Sequence, residues 1–271
     1  MSNNLKIGVI GGGNMAEAIV KGLLKSENNR PASIIVSDVS ASRRDYLAQT
    51  LHVTVTDDNT QIILNSDVIV LAVKPNVVEE VIGNIRETIT DKQTLISIAA
   101  GVKTKSIEKW LNHPIPVIRV MPNTPALVGA GISALAAGKY ACDENMNIAR
   151  GILSSIGKVV DTDEKLLDAV TGLSGSGPAY VFEFIDALAA GGVKEGLRKD
   201  VALLLAAQTV LGSALLVLES GDHPSILRDK VTSPGGTTIA GLYALESGSF
   251  KATVMDAVSC ATERSRELSE K

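Results

Sequence analysis

Short apolar runs alternate with helical patterns along the first part of the chain. The runs predict buried strands at Leu5–Ile10, Ile34–Ser37, Val53–Val55, Val68–Ala72, Thr94–Ile98 and Val117–Val120. Apolar positions at helical spacing lie between most of them, as at Val77–Ile89 and Ser106–Leu111. This alternation predicts an α/β fold with a doubly wound parallel sheet, which Ile132–Ala136 and Lys158–Val160 would extend at its edge.

The pattern changes to helices alone from about residue 163. Helical patterns follow one another at 164–172, 178–196, 199–219, 224–230, 238–247 and 250–269. Neither a repeat nor a low-complexity linker marks the change, so the boundary depends on the period of the apolar positions. We expect an α/β domain over residues 1–162 and an all-α domain over residues 163–271.

The first strand runs directly into the glycine turn Gly11-Gly12-Gly13-Asn14-Met15-Ala16, and a helical pattern follows it. In a G-x-G-x-x-A turn the first glycine, Gly11, permits the tight bend, and Gly13 lets the backbone approach a pyrophosphate. The small Ala16 allows the helix and the strand to pack closely. Such turns also occur for structural reasons alone, but a position between a strand and a helix predicts a dinucleotide-binding Rossmann domain.

Three further loops follow predicted strands, namely Ala72–Pro75, Ala99–Gly101 and Met121–Pro125. Ligands of open parallel sheets bind beyond the carboxyl ends of the strands, where these loops would lie. Lys74 is expected near phosphate groups, and Ala99–Gly101 is small enough for a flat ring to lie against it. Each loop alone also fits an ordinary turn or helix start. Together with the glycine turn they predict a nicotinamide site.

A second glycine-rich stretch, Thr-Ser-Pro-Gly-Gly-Thr-Thr at residues 232–238, precedes the apolar helical run Ile239–Leu245. A helix that begins there directs unpaired N–H groups and its positive dipole end at the turn, which favours a small anion such as a carboxylate. An ordinary N-cap is the alternative, but one Ser or Thr is enough for that. The paired glycines and the additional hydroxyl groups favour a binding site.

Composition limits the function classes. The net charge is −4 and no basic block is present, so a nucleic-acid role has little support. The two cysteines, Cys142 and Cys260, suggest reduced thiols in the cytoplasm, and no signal peptide is visible. The three histidines, His52, His113 and His223, lack metal-ligand spacing, and no metal site is expected.

The uncharged segment from Val201 to Leu218 approaches the length of a membrane span. Gln208, Thr209, Gly212 and Ser213 interrupt it, and no second span accompanies it. A helix that is apolar nearly all round is otherwise a buried one. We therefore favour burial in an interface between subunits over a membrane span.

Several segments together resemble the pyrroline-5-carboxylate reductase family over essentially the full length of the chain. The most specific is Asp229–Thr238, followed by Gly241-Leu242 and Leu245-Glu246, and Val170–Tyr180 matches a second family segment. Gly11–Ala16, Asp58-Asn59, Ala72–Pro75, Ala99–Gly101 and Met121–Pro125 match the cofactor half. An unrelated dehydrogenase can share the glycine turn but would not share all of these segments. The loop 219–224 varies in the family, and some relatives carry an acidic residue at the position of Gly221.

The resemblance implies a Rossmann domain and a helical domain that interlocks with its partner in a homodimer, with larger rings, commonly decamers, built from such dimers. It implies hydride transfer from a reduced nicotinamide to C5 of Δ1-pyrroline-5-carboxylate, which gives L-proline. The substrate would lie between the nicotinamide and the turn 233–238, contributed by the neighbouring subunit. Residues expected to bind it are Ser233, Gly235, Gly236, Thr237 and Thr238, with Thr238 placed at the ring nitrogen as the catalytic residue.

The cofactor implied by the resemblance is NADPH, with NADH as the alternative. Asp38, at the end of the second strand, is of the type that holds the ribose of NAD, whereas Arg43 and Arg44 fit the 2′-phosphate of NADP or a solvated helix start. The predicted cofactor-binding residues are Gly11, Gly13, Asn14, Met15, Ser37, Asp38, Asn59, Ala72, Lys74, Pro75, Ala99, Gly101, Met121 and Asn123.

Two rival functions remain open from the residues alone. A related imine or β-hydroxyacid reductase would share the architecture, but a hydroxyacid enzyme would carry a catalytic lysine on the first long helix of the second domain. Residues 178–193 contain no lysine, and Lys194 stands at the end of that pattern. A non-catalytic nucleotide sensor is the second rival, and it would not need the turn 233–238.

Overall fold

One eight-stranded sheet organises the first compact unit of the computed structural model, which describes residues 4–26 and 30–269. The strands are β1 (Lys6–Ile10), β2 (Ser33–Ser37), β3 (Thr54–Thr56), β4 (Val68–Leu71), β5 (Thr94–Ser97), β6 (Val117–Met121), β7 (Gly131–Ala137) and β8 (Gly157–Asp161). Their order in the sheet is β3-β2-β1-β4-β5-β6-β7-β8, and only β6 and β7 pair antiparallel. The predicted doubly wound parallel sheet with added edge strands is confirmed.

Helices pack on both faces of this sheet. They are α1 (Asn14–Lys25), α2 (Ala41–Leu51), α3 (Asn59–Leu64), α4 (Val78–Ile85), α5 (Thr104–Leu111) and α6 (Asp143–Leu153). Successive residues of β4 serve different faces: Val68 and Val70 join the apolar cluster that contains α1, α2 and α6. Ile69 and Leu71 join the cluster that contains α3, α4 and α5. Because both faces are covered, the strand is apolar throughout and not alternating.

The sheet fixes where the candidate site lies. β1, β2, β4, β5 and β6 all run parallel, so their carboxyl ends meet at one edge. The chain leaves β1 towards β2 on one side and β4 towards β5 on the other, which puts the switch point of the sheet between β1 and β4. A crevice for a ligand is expected at that point.

Two helical predictions differ in detail from the structure. α4 ends at Ile85, although a helix to Ile89 was predicted. The side chain of Ile89 is nevertheless part of the apolar core, although the helix has already ended. This explains why its position fits the helical spacing of apolar residues. The helix predicted over 164–172 is divided into a 3-10 turn (Glu164–Leu166), α7 (Leu167–Val170) and a π-helical turn (Thr171–Gly175). The hydroxyl groups of Thr171 and Ser174 bond carbonyl groups one turn back, a pattern that bends helices.

A second compact unit comprises residues 177–259, while residues 260–269 belong with the first unit. Its helices are α8 (Gly177–Lys194), α9 (Lys199–Ser220), α10 (Pro224–Lys230), α11 (Thr237–Ser247) and the first part of α12 (Phe250–Ser269). α8 and α9 pack through small residues, with Ala189, Ala202 and Ala206 buried. The domain boundary at residue 162 stays a prediction. The contacts between residues divide the chain after residue 176.

Much of the apolar surface of the second unit is uncovered within one chain. Leu204 and Leu218 of α9 are 69% and 72% exposed. In the part of the chain that the structure describes, α9 is the one helix whose length and mean hydropathy of 2.3 would also suit a membrane span. Exposed apolar surface of this extent marks an interaction surface in a soluble protein.

Candidate active site

The glycine turn at the end of β1 leaves an open anion-binding helix start. Gly11 has φ +95°, and a Cβ there would lie 2.6 Å from the carbonyl oxygen of Ala72. Gly13 caps α1 without any side-chain hydrogen bond, and a Cβ built on it meets no atom of the chain within 4 Å. The backbone N–H groups of Asn14 and Met15 make no hydrogen bond within the described residues, so they are available to an anion such as a pyrophosphate.

The loop after β2 is tied to this turn. One carboxylate oxygen of Asp38 accepts from the backbone N–H of Gly12 at 2.8 Å, and the other accepts from the N–H of Ser40 at 2.8 Å. Next to Asp38, the hydroxyl of Ser37 donates to the side-chain carbonyl of Asn59 at 2.6 Å. The structure thus brings the predicted residues Ser37, Asp38 and Asn59 together with the glycine turn.

The side chains of Arg43 and Arg44 lie next to the glycine turn and the end of β2. The guanidinium of Arg43 donates to the carbonyl oxygen of Gly12 and, at 2.5 Å, to the carboxylate of Glu17. Arg44 donates to the carbonyl oxygen of Asp38 at 2.8 Å and lies 3.4 Å from Asp57. Both positive charges are therefore held at the end of β2, where the ribose of a dinucleotide binds in this fold.

Glu17 is a residue that the sequence reasoning missed. Burial alone would raise the pKa of Glu17, but hydrogen bonds from Lys21, Arg43 and Tyr46 outweigh it and hold the pKa below its ordinary value. The ring of Tyr46 also lies under Arg43, with the guanidinium carbon 4.9 Å from the ring centroid. The sequence did contain a signal for Glu17. It is an acidic residue in the first turn of α1, close to the predicted dinucleotide site.

The loops after β4 and β5 line a cavity of 730 Å³. Pro75 and Gly101 are predicted residues on its wall, whereas Ala72 and Ala99 are not part of it, and Ala99 is buried. Lys74 is exposed and makes no side-chain hydrogen bond or ion pair within the described ranges, so its charge is available to a ligand. The opposite wall comes from the end of α12, with Ser265 and Leu268. No local motif signals these last residues, because α12 reaches the cavity only through the fold.

The loop after β6 makes side-chain contacts inside the chain. The side chain of Asn123 accepts from the N–H of Ile132 at 2.9 Å and donates to the carbonyl oxygen of Ser174 at 3.2 Å. Met121 lies against Gly175, where a Cβ would collide with the methionine methyl group. These contacts fix the loop to β7 and to the π-helical turn. A direct role of Met121 and Asn123 in cofactor binding stays a prediction.

The turn at residues 233–238 lies in the second unit and has open donors. Gly235 has φ +65°, which favours glycine, and Gly236 caps α11 without a side-chain hydrogen bond. The hydroxyl groups of Ser233, Thr237 and Thr238 make no hydrogen bond with the residues that the structure describes. The start of α11 is therefore not an ordinary side-chain N-cap, and it offers both N–H and O–H groups to an anion.

Clusters of metal-ligand residues are absent from residues 4–26 and 30–269. The candidate residues of each unit are helix starts, backbone donors, hydroxyl groups and charged side chains, and such groups bind anions and position a substrate.

Comparisons with known proteins agree with this arrangement. A family model for pyrroline-5-carboxylate reductase dimerisation matches residues 164–268, and a model for coenzyme F420-dependent NADP oxidoreductases matches residues 6–101. The pyrroline-5-carboxylate reductase of Pisum sativum is 46% identical over 269 residues, which cover 99% of this chain and 98% of the relative. The enzyme of Synechocystis sp. is 47% identical and covers 99% of this chain and 100% of the relative.

Solved structures are similar over the full length as well. The pyrroline-5-carboxylate reductase of Coxiella burnetii has a TM-score of 0.93 and 40% identity, and the match covers 99% of this chain and 100% of that one. The Plasmodium falciparum enzyme, solved with NADP bound, has a TM-score of 0.85 and 33% identity over 98% of this chain and 99% of that one. The chain described here belongs to the pyrroline-5-carboxylate reductase family.

Proposed function

We propose that this protein reduces Δ1-pyrroline-5-carboxylate to L-proline with NADPH, the last step of proline synthesis. The observation that carries the proposal is the start of α11, where no side-chain hydrogen bond caps the helix and where N–H and hydroxyl donors are available to a carboxylate. The same chain supplies an open dinucleotide turn at Gly11–Ala16. A ring imine with one carboxylate needs both parts.

When bound, the cofactor supplies the hydride that adds to C5 of the imine, whose π electrons pass to the protonated ring nitrogen to give the amine. A protonated imine is already a good electrophile, so the chain has to position it and needs no strong acid. Ser233 and the N–H groups of Thr237 and Thr238 bind the carboxylate. The side-chain hydroxyl of Thr238 forms a hydrogen bond with the ring nitrogen and so orients it.

The residues at the ends of β1 and β2 fit NADPH. The space beside Gly13 admits the pyrophosphate, and Arg43 and Arg44 offer positive charge next to Asp38, as a 2′-phosphate requires. NADH is the alternative cofactor, with Asp38 at its ribose. The remaining cofactor contacts come from Asn14, Met15, Ser37, Asn59, Ala72, Lys74, Pro75, Ala99, Gly101, Met121 and Asn123.

The protein assembles through its helical part, which matches the dimerisation family. A homodimer would cover the apolar residues of α9 that a single chain leaves exposed, and it would bring the turn 233–238 of one subunit to the cofactor of the other. Dimers would associate into larger rings such as decamers. We place the enzyme in the cytoplasm, without a membrane or nucleic-acid partner.

A spectrophotometric assay tests the proposed activity. Purified protein is mixed with NADPH or NADH, and the loss of reduced-nicotinamide absorbance is followed after Δ1-pyrroline-5-carboxylate is added. We expect oxidation with this substrate and none with 2-keto acids. Turnover of 2-keto acids alone would favour the hydroxyacid rival, and cofactor binding without turnover of either substrate would favour a sensor.

A further inference from the structure

A second cavity, of 370 Å³, lies in the first compact unit at the carboxyl end of α12 and next to the start of α5. Its wall carries four cationic side chains, Lys103, Arg119, Lys165 and Arg266. The proposed reaction uses none of them.

Arg119 is the unusual member of this set. It projects from the central strand β6, and its side chain is only 4% exposed. A guanidinium has five N–H donors, yet within residues 4–26 and 30–269 Arg119 makes one hydrogen bond, a long one of 3.4 Å to Glu164. A buried charge with so little compensation is costly to the fold unless further hydrogen-bond acceptors reach it. Its remaining donors are therefore available to a ligand in the cavity.

The two carboxylates on the wall are already occupied. Glu164 accepts from the backbone N–H of Thr104 at 2.7 Å and from its hydroxyl at 2.8 Å. Asp168 accepts from the hydroxyl groups of Ser265 at 2.7 Å and Ser269 at 3.2 Å. Both carboxylates thus have hydrogen-bond donors inside the chain, and their two formal charges only partly balance the four cations.

The other three cations make few ion pairs. Lys103 and Arg266 are exposed and make no ion pair within the described part of the chain, while Lys165 pairs with Asp163 outside the cavity wall at 3.1 Å. With four positive and two negative groups, the wall carries a formal surplus of positive charge. A cavity of this sign selects anions.

We propose that this cavity binds a phosphate group, held by the planar fork of Arg119 and by the exposed charges of Lys103 and Arg266. Two parallel N–H groups of a guanidinium match two oxygens of a phosphate, which lysine alone does not do. Lys103 and Ser269 line both this cavity and the 730 Å³ cavity at the candidate active site. An occupied phosphate site therefore touches the same loop, residues 101–103, that borders the reaction space.

Isothermal titration calorimetry of the full-length protein with inorganic phosphate tests the proposal, at ionic strength kept constant with sodium chloride. We expect a saturable site whose Kd rises about 10-fold in Arg266→Ala and in Lys103→Ala, because each loses a charge-assisted contact. Arg119→Lys keeps the charge but loses the fork, and we expect an equal or larger rise. Arg86→Ala, which removes an exposed cation at the end of α4, should leave Kd unchanged.

Phosphate can also bind at the helix starts of α1 and α11. A rise in Kd in the cavity variants therefore shows that the titration measures binding in the cavity. Equal Kd values in the wild type, Arg266→Ala and Lys103→Ala would overturn the proposal, as would the absence of any saturable binding. The surface variants keep the test valid even if Arg119→Lys fails to fold. Glycerol 3-phosphate in place of inorganic phosphate distinguishes the sources: tighter binding of the ester assigns the site to a phosphorylated metabolite, and weaker binding assigns it to free phosphate.

Discussion

The carboxylate of Asp38 accepts a hydrogen bond of 2.8 Å from the backbone N–H of Gly12, a residue 26 positions earlier in the chain. This bond ties the end of β2 to the glycine turn that follows β1. The same carboxylate holds the N–H of Ser40 at the start of α2. Asp38 therefore supports the glycine turn, in addition to the role at the ribose that we propose for it.

Substitutions at Gly11 and Gly13 should affect stability and cofactor binding to different extents. Gly13→Ala places its methyl group in open space with φ −66°, and alanine is a poorer N-cap than glycine but reduces the entropy of the unfolded chain, so we expect the free energy of unfolding to change by less than about 1 kcal/mol. The methyl group enters the pyrophosphate space, however, and the KM for NADPH should rise at least about 10-fold, equivalent to ~1.4 kcal/mol. Urea unfolding and steady-state kinetics measure the two effects.

Gly11→Ala serves as the matched comparison. At φ +95° and 2.6 Å from the carbonyl oxygen of Ala72, the added Cβ strains the backbone and should cost about 1–3 kcal/mol of stability. If Gly13→Ala destabilised the protein as much as Gly11→Ala and left the KM for NADPH unchanged, the assignment of Gly13 to the pyrophosphate would be wrong.

Arg43 should determine preference for the phosphorylated cofactor. Arg43→Ala removes a charge beside Asp38, so kcat/KM with NADPH should fall about 10-fold or more, the effect of one hydrogen bond to a charged group. With NADH, which lacks the 2′-phosphate, the change should be below about 3-fold. Arg86→Ala is the charge-matched control. Equal losses with both cofactors would contradict the role of Arg43 in phosphate recognition.

Glu17 should affect stability in acid. Since its folded pKa lies below the ordinary value, its ion pairs stabilise the protein above the unfolded pKa of about 4.3, and this contribution is lost as pH falls through the folded pKa. Wild type should therefore exceed Glu17→Gln in Tm at neutral pH, and the difference should shrink below about pH 4. Glu80→Gln, in the first turn of α4, provides an exposed acidic control. A constant difference across the acid range would refute the ion-pair account.

Thr238 should affect chemistry without affecting the fold. The hydroxyl of Thr238 has no partner among the described residues, and alanine is a better helix former, so Thr238→Ala should unfold at the same temperature or slightly higher. Turnover should fall about 10–100-fold, or roughly 1.4–2.7 kcal/mol, if the hydroxyl orients the ring nitrogen. Thr50→Ala, on an exposed position of α2, is the control. An unchanged kcat in Thr238→Ala would remove the residue from the mechanism.

The strands and both glycine turns followed from the sequence because their signals are local. Each apolar run between glycines or polar turns became a strand, since both faces of the parallel sheet are buried. The turn at Gly11–Ala16 and the helix start after Gly236 were found because backbone freedom and helix donors require particular residue types at fixed spacing. These features position most of the candidate site.

Long-range pairs did not follow from the sequence. The ion pair of Arg43 with Glu17 and the contact of Arg119 with Glu164 join residues from different elements, and no spacing rule connects them. The wall that α12 contributes to the 730 Å³ cavity could not be predicted either, because it also depends on contacts between distant elements. For Asn123, the motif indicated a functional loop, but only the structure shows that its amide group is used to hold the loop to Ile132 and Ser174.

The central claim is that the start of α11 recognises the carboxylate of a ring imine whose C5 faces the nicotinamide. The most direct measurement compares kcat/KM for Δ1-pyrroline-5-carboxylate with that for 1-pyrroline, the same ring without its carboxylate, in the wild type and in Ser233→Ala. We predict a preference of at least about 100-fold for the carboxylate in the wild type, because 1-pyrroline leaves those donors unpaired, and a clearly smaller one in Ser233→Ala. Equal kcat/KM values for the two rings in the wild type, or a preference unaffected by Ser233→Ala, would contradict the account.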